Sequence, residues 1–525
     1  MDTGTNNPAS YETAEPAVAG PEHYQGVPGL PAFNAQAQRE SRLERAIFAC
    51  LLLFSAALLH SKAVTEIAYS AAMALWLVNI LVFRKRPLRQ PLVLALFVFL
   101  LFSAISSALS PVPAFSWDRM KSVGLLIISV LVAQNVRNMR EVRILVSVLI
   151  VSTALSIGYN GWLYTGGIGA RITAVPPAGI LNSLGVQPGD IITAVDGRPI
   201  RNPAGFARAI RQAGSTAPLR LQLARGEGLV KFEIRLDQAA LSQSGITQPG
   251  ALALGQPPRA TGSLGYVVTY AEVLLQVALL TWGFLLSAVL ARRGWKWALF
   301  PLFGLMCAVM GLTLTRASLV SLFVAGFGVF WICMPRAVAR VIAIAALALA
   351  VLGVSFMVRR ERGMGMIAPK DAGTEYRILM WEDGVRLARE HPLFGVGMDT
   401  IKARWQQLHI RAYERFPLRS HFHSTPIQLA AERGLLTLAA WVWLMFLYLR
   451  LLLRLRQRIP PSDWFVRGLC LGILGSTLGF LASSLVHYNL GDSEVQMLFW
   501  FLMGIAIALD RLVSRQETQP FQASG

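Results

Sequence analysis

Apolar residues in this chain come in long unbroken runs separated by short polar connectors. Crossing the hydrocarbon core takes roughly 20 apolar residues per helix. On that criterion the runs at 45–61, 65–83, 91–109, 119–135, 142–163, 266–291, 295–314, 317–334, 338–357, 434–453, 466–487 and 494–511 are candidate spans. The pattern predicts a polytopic all-α membrane protein with about twelve transmembrane helices. Two connectors are far longer than the rest, about 164–265 and 358–433, and must carry structure of their own.

Alternate short connectors are basic. They hold Arg84, Lys85, Arg86 and Arg89, then Arg137, Arg140 and Arg143, Arg292, Arg293 and Lys296, Arg336 and Arg340, Arg450 to Arg458, and Arg511 with Arg515. The positive-inside rule places these loops and both termini in the cytoplasm and both long connectors outside it. Residues 1–40, rich in Pro, Ala, Gly and Asn without apolar periodicity, read as a disordered cytoplasmic tail and not as a cleavable leader. The expected order is then spans one to five in 41–163, a folded insertion in 164–236, a linker in 237–265, spans six to nine in 266–357, an outer loop in 358–433, and three last spans with a cytoplasmic end in 434–525.

The first long connector alternates apolar and polar positions in Ala170–Val175, Ile191–Val195, Leu219–Leu223 and Val230–Leu236, the period of strands. Gly189-Asp190 and Asp196-Gly197 supply turns. Leu184-Gly185-Val186-Gln187-Pro188-Gly189-Asp190-Ile191-Ile192 with Val195-Asp196-Gly197-Arg198-Pro199-Ile200 resembles a PDZ domain of the bacterial periplasmic type. The resemblance implies a small α/β domain that binds extended peptides by strand addition to an open edge. The nearest candidate for its carboxylate-binding loop is Gly166-Gly167-Ile168-Gly169.

Composition narrows the classes. Hydrophobic residues make up 54% and charged residues 15%, too apolar for a soluble chain of this length. The excess of 49 Lys and Arg over 29 Asp and Glu gives +20, but its place in the connectors makes it a topology signal and not a nucleic-acid footprint. Cys50, Cys307, Cys333 and Cys470 all fall in apolar runs without CxxC spacing, which excludes a zinc or disulfide framework.

The second long connector holds the candidate chemistry. It carries twelve Arg and Lys residues, from Arg359 to Arg419, and His391, His409, His421 and His423. Basic residues on the disfavoured side ask for a local reason, and an anionic ligand would supply one. His423-Ser424, nine residues, then Gly434-Leu435-Leu436-Thr437 forms a His-Ser-x9-Gly-x-x-Thr pattern. Upstream stand Thr313-Leu314-Thr315-Arg316-Ala317-Ser318, Tyr376-Arg377-Ile378-Leu379-Met380-Trp381 and Glu390-His391-Pro392-Leu393-Phe394-Gly395-Val396-Gly397. Together these resemble the O-antigen ligase and polymerase superfamily. The PDZ insertion and Ser424, where Asn is commoner, depart from its usual pattern.

That resemblance implies a GT-C-like enzyme of the bacterial inner membrane, its active site facing the periplasm. It would move a glycan from an undecaprenyl diphosphate carrier to an acceptor, foremost lipid A core, without metal or other cofactor. Polymerisation of repeat units and transfer to protein hydroxyls are the alternatives within the class. The residue types suit the chemistry. Transfer needs a base for the acceptor hydroxyl and cations for the diphosphate leaving group. His423 fits the base, with His421 the substitute if the segment is extended and both share a face. Arg316 and Arg377 fit the diphosphate, since a guanidinium grips phosphate oxygens with two parallel bonds. His487, near Asp492 and Glu494, is a secondary candidate for acceptor contact. Expected partners are the lipid-linked donor, a lipid A core, glycan or protein acceptor, and a peptide or protein ligand of the PDZ domain, with no nucleic acid. A zinc intramembrane protease is excluded, as no His-Glu-x-x-His occurs. A transporter or PDZ-bearing scaffold is the distant alternative.

Overall fold

The computed structural model describes residues 30–83, 90–212, 218–226, 230–333, scattered positions between 337 and 352, and 372–518. Among the described residues helices dominate, with one sheet confined to the first long connector. Before it come α1 (Leu30–Ala57), α2 (Lys62–Phe83), α3 (Pro91–Ala108), α4 (Pro113–Gly124), α5 (Ile127–Asn135) and α6 (Met139–Gly166). The connector contributes α7 (Ile180–Ser183), α8 (Pro203–Gln212) and α9 (Gln238–Gln243). Then follow α10 (Val267–Leu290), α11 (Lys296–Leu312), α12 (Arg316–Cys333), α13 (Ala372–Glu390), α14 (Thr400–Ala403), α15 (Arg411–Arg415) and α16 (Thr425–Gln428). A π-helical turn, Leu429–Arg433, leads into α17 (Gly434–Arg458), α18 (Trp464–Ser484) and α19 (Ser493–Thr518).

Eight described helices are long and apolar enough to cross a membrane: α2, α3, α6, α10, α12, the run Thr425–Arg458, α18 and α19. This is a multi-pass membrane protein, and the count differs from the expected twelve for identifiable reasons. The run at 119–135 is two helices, because Gly124 is a poor helix former and Asp118, Arg119 and Lys121 keep α4 at the surface. The nine residues of α5 reach only about 13 Å. Helix α11 has 17 residues and carries Pro301. The first run forms the end of α1, which starts at Leu30 inside the supposed tail because the stretch after it is rich in helix-forming Ala, Gln, Arg and Glu. Most of the run at 338–357 and tail residues 1–29 lie outside the described residues.

Helices α10 and α18 form the centre of the bundle. A Cβ on Gly283 would strike the backbone of Gly472, and one on Gly472 would lie 2.5 Å from the Leu280 carbonyl oxygen. Small residues let the two backbones touch where lipid gives no hydrophobic drive for association. Around this pair the apolar core runs through α1, α3, α5, α17 and α19.

The PDZ region is a sheet ordered β5-β4-β2-β1-β6, with β3 paired to β2. Its strands are β1 (Gly169–Ile172), β2 (Ile191–Val195), β3 (Arg198–Pro199), β4 (Leu219–Arg225), β5 (Val230–Leu236) and β6 (Leu252–Gly255). All pairings are antiparallel. Ile172, Ile192, Phe206, Leu221 and Leu236 lie in one core. Buried Asp190 fixes the Pro-Gly-Asp turn, accepting from Arg225 Nε and Nη2 at 2.7 and 2.6 Å and from the Gln187 amide at 2.8 Å. The stretch read as a linker, 237–265, holds α9 and β6. Two alternating leucines amid Pro, Gly and Ser were too short a signal, and β6 pairs with β1, some 80 residues earlier by sequence position.

Candidate active site

The cavity is built where several helix ends meet: the end of α11, the starts of α10, α12 and α19, and the entry to the Thr425–Arg458 run. The loop before α16 threads along α13, where Tyr376, Met380 and Leu387 form a small core with Phe422, Ile401 and Ile410. Phe422 is fully buried, and its amide donates to Gln428 Oε1 at 2.8 Å. His421 and His423, on either side of it, turn to the cavity instead. Their rings lie 4.3 Å apart, and the His423 amide donates to His421 Nδ1 at 3.1 Å. A neutral His421 accepting there carries its proton on Nε2. His423 has φ +51°, a left-handed conformation that costs a non-glycine residue about 1–3 kcal/mol. The segment is therefore not simply extended, yet both rings reach one space.

Thr425 ties this loop to the one after α18. Its amide and Oγ1 donate to the His487 carbonyl, each at 3.1 Å, and Oγ1 accepts from the Asn489 amide at 3.2 Å. A cavity of about 490 Å³ results, lined by Arg377, His421, His423 and His487, with Glu272, Asp492 and Glu494 on the acidic side. A second space of about 200 Å³ shares Arg377, His487 and Val268 with it and adds Arg316, Thr315 and Arg259. A third of about 120 Å³ shares His421 and Tyr488 and adds Arg119, Lys402, Asp399, Glu432 and Arg433. The three share walls and form one crevice. The structure thus brings Arg316, Arg377, His421, His423 and His487, separated by up to 171 sequence positions, to the same place.

Burial drives the His423 imidazole down to about 3, helped by the neighbouring His421, Arg377 and His487. His421 is pushed down to about 4, again by burial first and then by Lys402, His487 and Arg377. Both rings are neutral near pH 7. Asp492 is raised to about 6 by burial, opposed by a hydrogen bond from Thr269 Oγ1 at 2.5 Å, with Glu494 raising it further.

Sequence reasoning missed several members. Glu272 lies on the first turns of α10 and is 2% exposed. It accepts from Ser318 Oγ at 2.7 Å, Ser483 Oγ at 2.5 Å and Asn489 Nδ2 at 3.4 Å. His487 Nδ1 stands 3.2 Å from Glu272 Oε1, without hydrogen-bond alignment. An acid within an apolar span is a signal in itself. Arg259 was hidden in the supposed linker. It donates from Nε to the Thr313 carbonyl at 2.6 Å and from Nη2 to Thr315 Oγ1 at 3.2 Å, so a cation caps the end of α11 beside Arg316.

The crowd of basic residues needs less ligand than expected. Arg411 pairs with Asp383 and Glu382, Arg415 with Glu375, Arg386 with Glu390, and Lys402 and Arg119 with Asp399. Among the described residues no group of three or more His, Cys, Asp or Glu is arranged to hold a metal.

The His-Ser-x9-Gly-x-x-Thr pattern divides between site and scaffold. His423 faces the cavity, whereas Ser424 precedes α16 and its carbonyl accepts from the Gln428 amide at 2.8 Å. Thr437 Oγ1 donates back to the Arg433 carbonyl at 2.9 Å, just past the π-helical turn, an irregularity often found at functional sites. Gly434 lies against Leu393, and the amides of Val396, Gly397 and Leu435 bond across to Ala431, Glu432 and Pro392.

A multi-pass helical bundle with a PDZ insertion and a crevice of histidines and arginines at one end is the class that the fold defines. Residues 273–442 match the family model described as O-antigen ligase, and residues 171–225 match that of a PDZ domain. The chain carries an O-antigen ligase domain with an inserted PDZ domain ahead of it. Arg316, Arg377, His421 and His423 fall inside the first match, while Arg259, Glu272 and His487 fall outside it. No curated protein matches the chain.

Proposed function

We propose that this protein is a glycosyltransferase of the bacterial inner membrane that moves a glycan from an undecaprenyl diphosphate carrier to lipid A core on the periplasmic face, an O-antigen ligase. The observation that carries it is the convergence of Arg316, Arg377 and His423, from three separate segments, on one crevice. Arg316 and Arg377 would hold the diphosphate, and His423 would take the acceptor proton. The acceptor oxygen forms a bond to the anomeric carbon, the bond from that carbon to the phosphate oxygen breaks, and undecaprenyl diphosphate departs with the electron pair. His421 fits a donor role better than the base, because its Nδ1 lone pair is already engaged by the His423 amide. His487 with Asp492 and Glu494 suits a hydroxyl-rich acceptor on the opposite wall.

Burial beside cations makes His423 a weak base, and a bound donor would correct this. Two negative charges on a bound diphosphate offset the nearby cations and stabilise an imidazolium. Because kcat/KM reports groups of the free enzyme, in an Asp492→Asn background, which removes the carboxyl raised to about 6, it is expected to stay level from about pH 8 to about pH 5, where a His of ordinary pKa near 6.5 would already be mostly protonated. The acid limb of kcat should lie at higher pH than that of kcat/KM. A pH–rate series in which both fall together through about 6.5 contradicts a buried, neutral His423.

The reaction is tested by transfer from a defined undecaprenyl diphosphate glycan in proteoliposomes, with chelator present and lipid A core, free glycan or a Ser-rich peptide as acceptor. Label on lipid A core is the expected result. Label on free glycan marks a polymerase, and label on peptide a protein O-oligosaccharyltransferase. Strict dependence on added divalent ion would overturn the metal-independent mechanism.

A further inference from the structure

The PDZ domain's recognition groove is filled by the chain itself. A ligand of such a domain adds an antiparallel strand to an exposed edge, with its last residue over the carboxylate-binding loop. Strand β6 does this on β1, with Ala170 opposite Leu254 and Ile172 opposite Leu252. Helix α8 packs beside both strands. In the loop, the Ile168 amide donates to the Gly255 carbonyl at 2.7 Å, the Gly169 amide to the Arg201 carbonyl at 2.9 Å and the Gly167 amide to the Leu163 carbonyl at 3.0 Å. A carbonyl thus stands where a chain-end carboxylate would be held. Leu252 and Leu254 share one face, as alternate strand residues must. Leu252 packs on the domain core, and the Leu254 side chain lies so close to Gly167 that a Cβ there would meet it at 2.5 Å. The matched PDZ segment ends at 225, so β6 comes from beyond it.

We propose that Ala251–Gly255 is the built-in ligand of the PDZ groove and keeps it closed to other chain ends. The tether gives this a consequence for the crevice. Gln256 donates to the Tyr164 carbonyl at 2.8 Å, and after Pro257 and Pro258, a stiff pair, the chain reaches Arg259 at the end of α11. An apolar peptide that displaced β6 would free this tether and loosen the cap beside Arg316.

The test uses the full-length protein in nanodiscs and a fluorescent peptide with the sequence of residues 249–255 and a free carboxylate. An intramolecular strand competes at millimolar effective concentration. Wild type should therefore bind the peptide at least about tenfold more weakly than Leu254→Asp, in which β6 cannot seat. A second variant guards against misfolding of the first. Arg171→Cys with Ala253→Cys places thiols on opposed residues, within reach of a disulfide. Mild oxidation should cross-link them and abolish peptide binding, and reduction should restore it. Equal binding by wild type and Leu254→Asp, persistent binding by the cross-linked protein, or failure of the cysteines to cross-link would overturn the proposal. A Leu254→Asp protein that folds and yet binds no peptide would do so too, since a vacated groove must take the same sequence back. No glycan transfer enters these readouts, so they stand apart from the transferase reading.

Discussion

His423→Ala is expected to lower the turnover of glycan transfer by about 10² to 10⁴ while the lipid-linked donor still binds. Proton abstraction acts in the transition state and adds little to ground-state affinity, so the loss should fall on kcat. The small cavity left behind should not disturb the loop, because its anchors are the Thr425 and Phe422 bonds and not the imidazole. Arg316→Ala and Arg377→Ala should raise the KM for donor as well, and Arg316→Lys should recover only part, since one ammonium cannot reproduce the two parallel bonds of a guanidinium to a diphosphate. Donor binding by fluorescence and transfer under single-turnover conditions separate the two effects. A His423→Ala enzyme with near-normal turnover removes the base assignment and leaves His421 and His487 to be tried.

Gly434→Ala should remove folded protein and not merely activity. Gly434 has φ +82° and ψ 169°, a region open essentially only to glycine. Its missing side chain leaves space for the backbone of Leu393 and Phe394. Backbone strain of about 1–3 kcal/mol and overpacking of about 1–3 kcal/mol together give a cost of about 2–6 kcal/mol. The variant should yield little monodisperse protein on extraction and should melt well below wild type. Gly158→Ala is the control, since nothing lies within 4 Å of its added carbon and its φ is not positive. A Gly434→Ala protein that melts with wild type would show that the 392–397 segment does not pack against this turn as described.

The sequence by itself determined the class of this protein. Runs of apolar residues long enough for a bilayer can be read in one dimension, because a membrane helix satisfies its own backbone and needs no partner to be recognised. The same holds for the PDZ insertion, whose turns at Gly189-Asp190 and Asp196-Gly197 are local devices. His423, Arg316 and Arg377 were legible as candidates because a dense basic set with histidines between apolar runs calls for a reason. Only tertiary structure decided which of these share a cavity, since that depends on helix ends meeting across more than a hundred residues. It also showed that Arg386, Arg411 and Arg415 are paired with acids, which no one-dimensional count of charge reveals. Glu272 could have been noticed as a lone acid in an apolar helix, but its partners Ser318, Ser483, Asn489 and His487 come from three other segments. Strand β6 could not have been found at all from its own residues. Four residues carry almost no strand signal, and what makes them a strand is the open edge of β1, which exists only once the domain has folded.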